Sequence, residues 1–438
     1  MIETILHSIK SFNRDKFSEQ GWGVRYGTLI MAVALILRGI MNYVYFWVAA
    51  QSLGIYEYGS FSILFSSVAI VYFVLGQSAE TLLSKYIAEA NSSQQGYKSL
   101  LRRIILWLLV VSIIFIIVGF IAQNIITIKL FPEAPGLFYF LIGISLLESW
   151  DMTLRGVLRG LRAIGMYAMS IIVQMFLRLA IFVLFVNVLG WRIVGAGISI
   201  LIAMAISILI TLFFLKYLWE HETETTTHEY PFTADILKYL YSLVLTFSLV
   251  AVYYHGGPLF IKTLAVERVN EKAGMFMLAT YLSRLPLALS ESLTINLLPR
   301  LSNVDMQGNI NRAWRYIVRI YQFVLPACVL VVVGLYSWGP WLLQIFNKEY
   351  EYSHIGMGLL GLNVSLMILF LISAQFLLSR SKTNMVIVSW LVGCVVLIVI
   401  SAFGPWPIIT RLEVGYVASS ALMLGIAHFS AFFYSKQS

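Results

Sequence analysis

The chain has 438 residues, of which 60% are hydrophobic and only 12% are charged, and its formal net charge is +9. Soluble domains carry about 25% charged residues, so this composition excludes a water-soluble globular protein and indicates an integral membrane protein. The positive charge is interpreted as a membrane-topology signal, and no nucleic-acid partner is expected.

Residues 1–23 precede the first long apolar stretch. Within them, apolar residues recur at helical spacing from Ile2 to Phe12. This pattern predicts an amphipathic helix on the cytoplasmic face of the membrane, and a frayed tail is the alternative. The segment lacks the apolar core and cleavage site of a secretory signal.

Twelve apolar stretches follow, and each approaches the length of about 20 residues that a helix needs to cross a bilayer. The predicted spans are 24–50, 58–80, 104–123, 136–153, 166–187, 191–215, 236–260, 273–298, 316–337, 355–378, 384–403 and 413–435.

Residues 216–235 form the longest connection and divide the chain into lobes 24–215 and 236–438. This linker contains two His and several Glu, but their spacing fits no metal-ligand pattern, so we expect a solvated cytoplasmic linker and no metal site. Twenty of the 30 Lys and Arg residues fall on one predicted side of the membrane and seven on the other. This bias predicts a multi-pass protein of the cytoplasmic (inner) membrane with both termini in the cytoplasm.

Two short motifs recur at one constant separation in the two halves. Gly59–Phe61 and Gly274–Phe276 open the second and eighth spans, and Leu82–Lys85 and Leu297–Arg300 close them. Because each half has an even number of spans, both halves enter the membrane from the same side, which indicates a parallel repeat. The predicted fold is all-α: twelve transmembrane helices in two six-helix bundles around a central cavity.

Several spans carry polar residues on one helical face, which is unfavourable against lipid. Arg38, Arg178 and Arg284 each lie roughly 16–21 Å from the start of their spans. All three therefore approach the middle of a hydrocarbon core about 30 Å thick. The candidate cavity residues are Arg38, Asn42, Tyr45, Gln174, Arg178, Tyr281 and Arg284.

These arginines predict a substrate-binding cavity for an anion. Guanidinium suits phosphate because its fork of donors carries a fixed charge. No acid occurs in the core of the first and fifth spans, which favours an anionic ligand for Arg38 and Arg178. Glu291 shares a helical face with Arg284, so an ion pair that only holds helices together is the alternative there.

Gly256, Gly257 and Pro258 interrupt the outer end of the seventh span. Glycine and proline free backbone groups and permit bending. We predict a gate hinge at these residues, and a plain helix end is the alternative.

Several stretches resemble one known family in their order and spacing along nearly the whole chain. The stretches are "LGIYEYGSFSILFSS", "LLSKYIAEA", "LRGLRAIGMYAMS", "NEKAGMFMLATYLSRLPLALSESL" and "IFNKEYEYS". They resemble the polysaccharide biosynthesis branch of the multidrug/oligosaccharidyl-lipid/polysaccharide flippase superfamily, to which the O-antigen-type flippases belong.

The resemblance implies a flippase that moves a polyprenyl-diphosphate-linked oligosaccharide across the membrane by alternating access. Such an oligosaccharide is a repeat unit of O-antigen, capsule or exopolysaccharide, and a polymerase and chain-length proteins of the glycan pathway are possible partners. The alternative within the superfamily is a cation-coupled multidrug exporter. A membrane enzyme is not expected, since no large outer loop or acidic metal–sugar motif occurs.

No cofactor is expected, but transport needs an energy source. Glu80 and Glu291 are candidate sites for coupling to protons or sodium, because acids inside spans often serve ion pathways. Coupling to the membrane potential alone is a further alternative.

Overall fold

The computed structural model describes residues 22–220, 230–287, 310–380 and 382–436. Within these ranges all regular secondary structure is helical. The helices are α1 (Trp22–Tyr72), α2 (Ser78–Ser92), α3 (Lys98–Ile121), α4 (Gln123–Leu130), α5 (Leu137–Gly160), α6 (Ile164–Phe182), α7 (Arg192–Glu220), α8 (Ala234–Leu264), α9 (Val269–Ser283), α10 (Ile310–Phe346), α11 (His354–Ser379), α12 (Thr383–Phe403) and α13 (Ile408–Lys436), with π-helical turns at Phe73–Gln77 and Val183–Val188.

The predicted all-α membrane fold is confirmed. Ten helices in the described ranges are long and apolar enough to cross a membrane. The first of them, Val33–Ser92, contains two predicted spans joined end to end. Helix α9, with 15 described residues, belongs to the predicted eighth span. The predicted N-terminal amphipathic helix lies almost entirely outside the described residues.

The chain divides into two compact units. One contains the described residues up to Ser52 together with Ser67–Ser248, and the other contains Leu53–Ser66 and the described residues from Leu249 onward. The unit boundaries therefore fall inside helices α1 and α8. Helix α7 continues to Glu220 and α8 begins at Ala234, so both helices extend into the predicted linker 216–235.

The first two predicted spans are joined without a loop. Helix α1 continues from the first span into the second, where it ends at Tyr72, and it changes direction at Gly54, where φ is 69° and ψ is 170°. Only glycine adopts this backbone conformation without a steric penalty. The sequence pattern suggested an interruption here, and a single glycine accounts for it.

Close glycine contacts set the packing of the first unit. Gly156 and Gly160 lie one turn apart on α5 and face α2. A Cβ atom at Gly156 would lie 2.7 Å from the Glu80 Cα, and one at Gly160 would lie 3.1 Å from the Leu83 carbonyl oxygen. Small residues at this spacing let membrane helices approach closely. As a result, Glu80 is held tightly against α5.

In the second unit, the repeat-related glycines of the second and eighth spans meet. A Cβ atom at Gly274 would lie 3.1 Å from the Gly59 nitrogen, and one at Gly59 would lie only 1.9 Å from the Asn270 carbonyl oxygen. The Asn270 amide donates to the Ser60 hydroxyl (3.1 Å) and accepts from the Lys262 ammonium group (3.0 Å). The glycines that marked the repeat in the sequence are thus a helix-crossing point.

Helix α8 continues through the predicted hinge to Leu264, so these residues are not a helix end. Gly256, Gly257 and Pro258 are buried. A Cβ atom at Gly257 would lie 2.5 Å from the Phe276 Cε1 atom, which shows that this glycine makes room for an aromatic ring. Bending at these residues during transport stays a prediction.

Candidate functional site

The first unit brings Arg178 and Tyr45 together. Both side chains are buried, and the Arg178 guanidinium carbon lies 4.1 Å from the centre of the Tyr45 ring. This is a cation–π contact, which gains strength away from water. The Tyr45 ring also packs edge-on against Phe182 (5.1 Å). Helices α1 and α6 therefore hold the arginine in a defined position.

Arg38 and Asn42 precede Tyr45 on the same face of α1, and both are half-buried. Arg38 does not stand alone electrostatically. Its charge acts on Glu148 of α5, as do the charges of Arg155 and Arg178. The first and fifth spans supply no acid of their own, but a neighbouring helix brings Glu148 under the influence of both arginines.

Gln174 is fully buried in a polar network of the first unit. Its carbonyl oxygen accepts a hydrogen bond from Arg155 Nη2 (2.9 Å), and its amide nitrogen lies 2.6 Å from the Met204 sulfur. Arg155 also forms an ion pair with Asp151, one turn earlier on α5. Protein groups thus occupy both ends of the Gln174 amide, and contact with a substrate stays a prediction.

Glu80 has partners on two helices. It accepts a hydrogen bond from the Tyr167 hydroxyl (2.8 Å), and Arg159 Nη1 lies 3.8 Å away. The carboxylate is buried, whereas the Arg159 side chain is half exposed. These contacts with Tyr167 and Arg159 stabilise the packing of α2 against α5 and α6. A role of Glu80 in ion coupling stays a prediction.

We expect Tyr167→Phe to lower the free energy of unfolding by about 1–3 kcal/mol, because the buried Glu80 carboxylate loses its hydroxyl donor. Thermal unfolding in detergent measures the change. Tyr139→Phe is the matched control, since Tyr139 is exposed and its hydroxyl accepts a bond from Gln123 at 3.3 Å. Equal effects of both substitutions would contradict this role for Tyr167.

In the second unit, Arg284 lies at a helix break instead of inside a continuous span. Helix α9 ends at Ser283, and Pro286 explains the break because it cannot donate to the carbonyl four residues earlier. Arg284 Nη1 donates to the Tyr254 carbonyl oxygen (2.6 Å), and its guanidinium also interacts with the Tyr416 hydroxyl.

Tyr281 lies one turn before Arg284, and its half-buried ring packs edge-on against Phe65 (6.3 Å). Glu291 lies outside the described residues, so the predicted pair with Arg284 stays a prediction. The same holds for the prediction that Arg284 shares a cavity with Arg38 and Arg178.

The sequence interpretation missed Arg155. Its position near the predicted end of the fourth span placed it among cytoplasmic charges, but α5 continues to Gly160 and buries it. The spacing of Asp151 and Arg155, one helical turn apart, was the available signal. In all, the polar cluster of the first unit contains three acids and four arginines: Glu80, Glu148, Asp151, Arg38, Arg155, Arg159 and Arg178.

Two units of membrane-spanning helices define the class of fold, and solved structures of MATE family transporters share it. The chain matches an outward-facing multidrug resistance MATE family transporter of the MOP superfamily with a TM-score of 0.64 and 12% sequence identity, over 94% of this chain and 97% of that one. It matches an inward-facing multidrug resistance MATE family transporter with a TM-score of 0.66 and 12% sequence identity, over 93% of this chain and 96% of that one. It also matches a MATE structure in the straight conformation with a TM-score of 0.65 and 13% sequence identity, over 94% of this chain and 96% of that one.

At these identities the likeness establishes the fold alone. Neither a protein-family model nor a curated protein sequence matches the chain.

Proposed function

We propose that this chain is a membrane transporter that works by alternating access. The observation that carries the proposal is the match of the fold over nearly the full length of transporters in both inward-facing and outward-facing conformations. Proteins with the same fold are described as transporters and not as enzymes, which supports transport over catalysis. We further propose the inner membrane as its location, with both termini in the cytoplasm.

For the substrate, we propose a polyprenyl-diphosphate-linked oligosaccharide. The sequence resemblance to polysaccharide flippases supports this class. The polar cluster of the first unit also supports it, because the four arginines exceed the three acids by one charge. A guanidinium such as that of Arg178 suits the oxygens of a diphosphate, because its hydrogen bonds to phosphate are charge-assisted and often bidentate. The sugars would then contact polar groups of the first unit such as Asn42.

A multidrug exporter is the second candidate, and the solved structures favour it more directly than they favour the first. All three reported structures are MATE transporters, one inward-facing and one outward-facing, and these two are described as multidrug resistance transporters. The half-buried Glu148 and the buried Glu80 supply acids of the kind that bind cationic drugs or coupling ions. The two candidates differ in the charge of the substrate, which an experiment can separate.

We expect liposomes that contain the purified protein to move a fluorescent polyprenyl-diphosphate oligosaccharide between leaflets at least tenfold faster than empty liposomes, a change of about 1.4 kcal/mol in the barrier. Quenching of the outer leaflet measures this movement. A cationic dye in the same liposomes should show no acceleration under proton, sodium or voltage gradients.

The opposite pattern, dye transport without movement of the oligosaccharide, would establish the second candidate. No acceleration of either probe under any gradient would contradict the proposal of a transporter.

A further inference from the structure

An open groove runs along the membrane-spanning surface of the second unit. Helix α11 packs against both α10 and α13, whereas α10 and α13 make little direct contact with each other. The space between them has a volume of about 430 Å³, within the range of about 300–1,000 Å³ that is usual for ligand sites. It is lined by Tyr321, Ala421, Leu424, Gly425, His428, Phe429 and Phe432.

The groove exists because α13 presents small residues between large ones. A Cβ atom at Gly425 would meet nothing within 4 Å. The polar groups of the wall are turned away from the groove or stacked. The Tyr321 hydroxyl donates to the Leu369 carbonyl oxygen (3.0 Å) on α11, and its ring stacks on His428 at 5.8 Å. The remaining wall is hydrocarbon, which favours an apolar occupant.

The position of the groove indicates an occupant with one charged end. Tyr321 lies one turn inside the candidate span Ile317–Phe346, and His428 lies near the end of Ile408–Phe433, so the groove approaches one membrane surface. The Lys and Arg distribution predicts that this surface is the cytoplasmic one.

A cation lies beyond the groove, toward that surface. Leu369 and Ser373 share one face of α11, and Arg380, the residue directly after α11, follows Ser373 by seven residues. Ser373 contacts Tyr321 in the groove, and the Arg380 guanidinium carbon lies 5.1 Å from the centre of the Phe376 ring. Arg380 is therefore roughly 10 Å along the helix axis from the groove contact. An apolar groove with an arginine about two helical turns beyond it matches a lipid with an anionic headgroup.

We infer that this groove binds the polyprenyl chain of the lipid-linked substrate while Arg380 contacts its diphosphate. The inference rests on the proposed oligosaccharide-lipid substrate and adds a loading site on the cytoplasmic side. A single groove between two helices fits one chain, which favours a polyprenyl lipid over a phospholipid with two acyl chains.

The test uses the full-length protein in nanodiscs of phosphatidylcholine. The probe is a photoreactive polyprenyl diphosphate without sugar, and mass spectrometry maps the labelled residues. We expect labelling on α13 near Gly425 that excess unlabelled polyprenyl diphosphate removes. Gly425→Leu should reduce this labelling at least tenfold, because the new side chain fills the groove and excludes the apolar contact.

Gly334→Leu is the matched control. Gly334 lies on α10, where the nearest atom to an added Cβ is the Trp338 Cε3 atom at 4.0 Å. This variant should label like the unchanged protein. In addition, Arg380→Gln should weaken labelling by the diphosphate probe and leave labelling by an uncharged polyprenol probe unchanged.

Equal labelling of the groove by a photoreactive phosphatidylglycerol, or labelling that Gly425→Leu leaves intact, would overturn the inference. Specific labelling elsewhere but not in the groove would also overturn it, and the proposed substrate would stand. If excess unlabelled polyprenyl diphosphate removes labelling at no residue, the inference and the proposed substrate fail together.

Discussion

Gly59→Ala should destabilise the protein by about 1–3 kcal/mol, the usual effect of forcing extra volume into a packed contact. An added methyl group at Gly59 would lie 1.9 Å from the Asn270 carbonyl oxygen and 2.8 Å from the Asn270 Cα. Backbone atoms cannot move aside as a flexible side chain does, so the two helices must separate. Separation also lengthens the hydrogen bond from Asn270 to Ser60, now 3.1 Å.

Thermal unfolding of the purified protein in detergent measures this effect, and other substitutions calibrate it. Gly274→Ala should cost less, because its nearest contacts lie at 3.0–3.2 Å. Gly39→Ala, on the same helix α1 as Gly59, meets nothing within 4 Å. That control should be neutral or stabilising, since alanine favours a helix over glycine by about 1 kcal/mol.

The double variant Gly59→Ala/Gly274→Ala gives a sharper result. The two methyl groups occupy the same crossing, so the second should add little once the first has separated the helices. Additive losses would mean that the two glycines act in independent contacts. A neutral Gly59→Ala would contradict the close crossing itself.

The sequence allowed the membrane class and an all-helical fold in two halves to be predicted, because hydrophobic length and charge bias are local properties. It did not predict how spans join. Gly54 turns a helix that the pattern divided into two spans, and a turn at Arg284, just before Pro286, interrupts a helix that the pattern treated as continuous. Single backbone conformations decide both outcomes, and they leave little mark on hydrophobicity.

The sequence also found Arg38, Tyr45 and Arg178 as a set, and the structure places Arg178 on Tyr45. The sequence pattern could not identify the acid whose charge interacts with these arginines, because helical spacing relates residues of one helix only. Glu148 reaches the arginines from α5. Contacts between helices depend on helix rotation and crossing, which a single sequence does not specify.

Arg178→Lys should leave the protein folded but lower the movement of polyprenyl-diphosphate oligosaccharide by about ten- to 150-fold. This range corresponds to the loss of about 1.5–3 kcal/mol for a charged hydrogen bond. Lysine keeps the positive charge that acts on Glu148 and the contact with the Tyr45 ring. It loses the fork of donors that binds two phosphate oxygens at once.

Two further variants separate binding from folding. Tyr45→Phe keeps the ring beneath the guanidinium and should retain transport. Arg155→Lys makes the same chemical change at another buried arginine, but there the fork binds Asp151 and Gln174. That variant should lower the unfolding midpoint, because it weakens a buried ion pair and leaves a polar group without its donor.

Arg178→Lys should shift the unfolding midpoint much less than Arg155→Lys does. The decisive comparison is therefore transport per folded molecule, measured in liposomes at equal protein density. If Arg178→Lys transports the oligosaccharide at the unchanged rate, Arg178 serves only as the buried counter-charge of Glu148. The anionic substrate would then lose its main support in the first unit, and the multidrug exporter would become the favoured function.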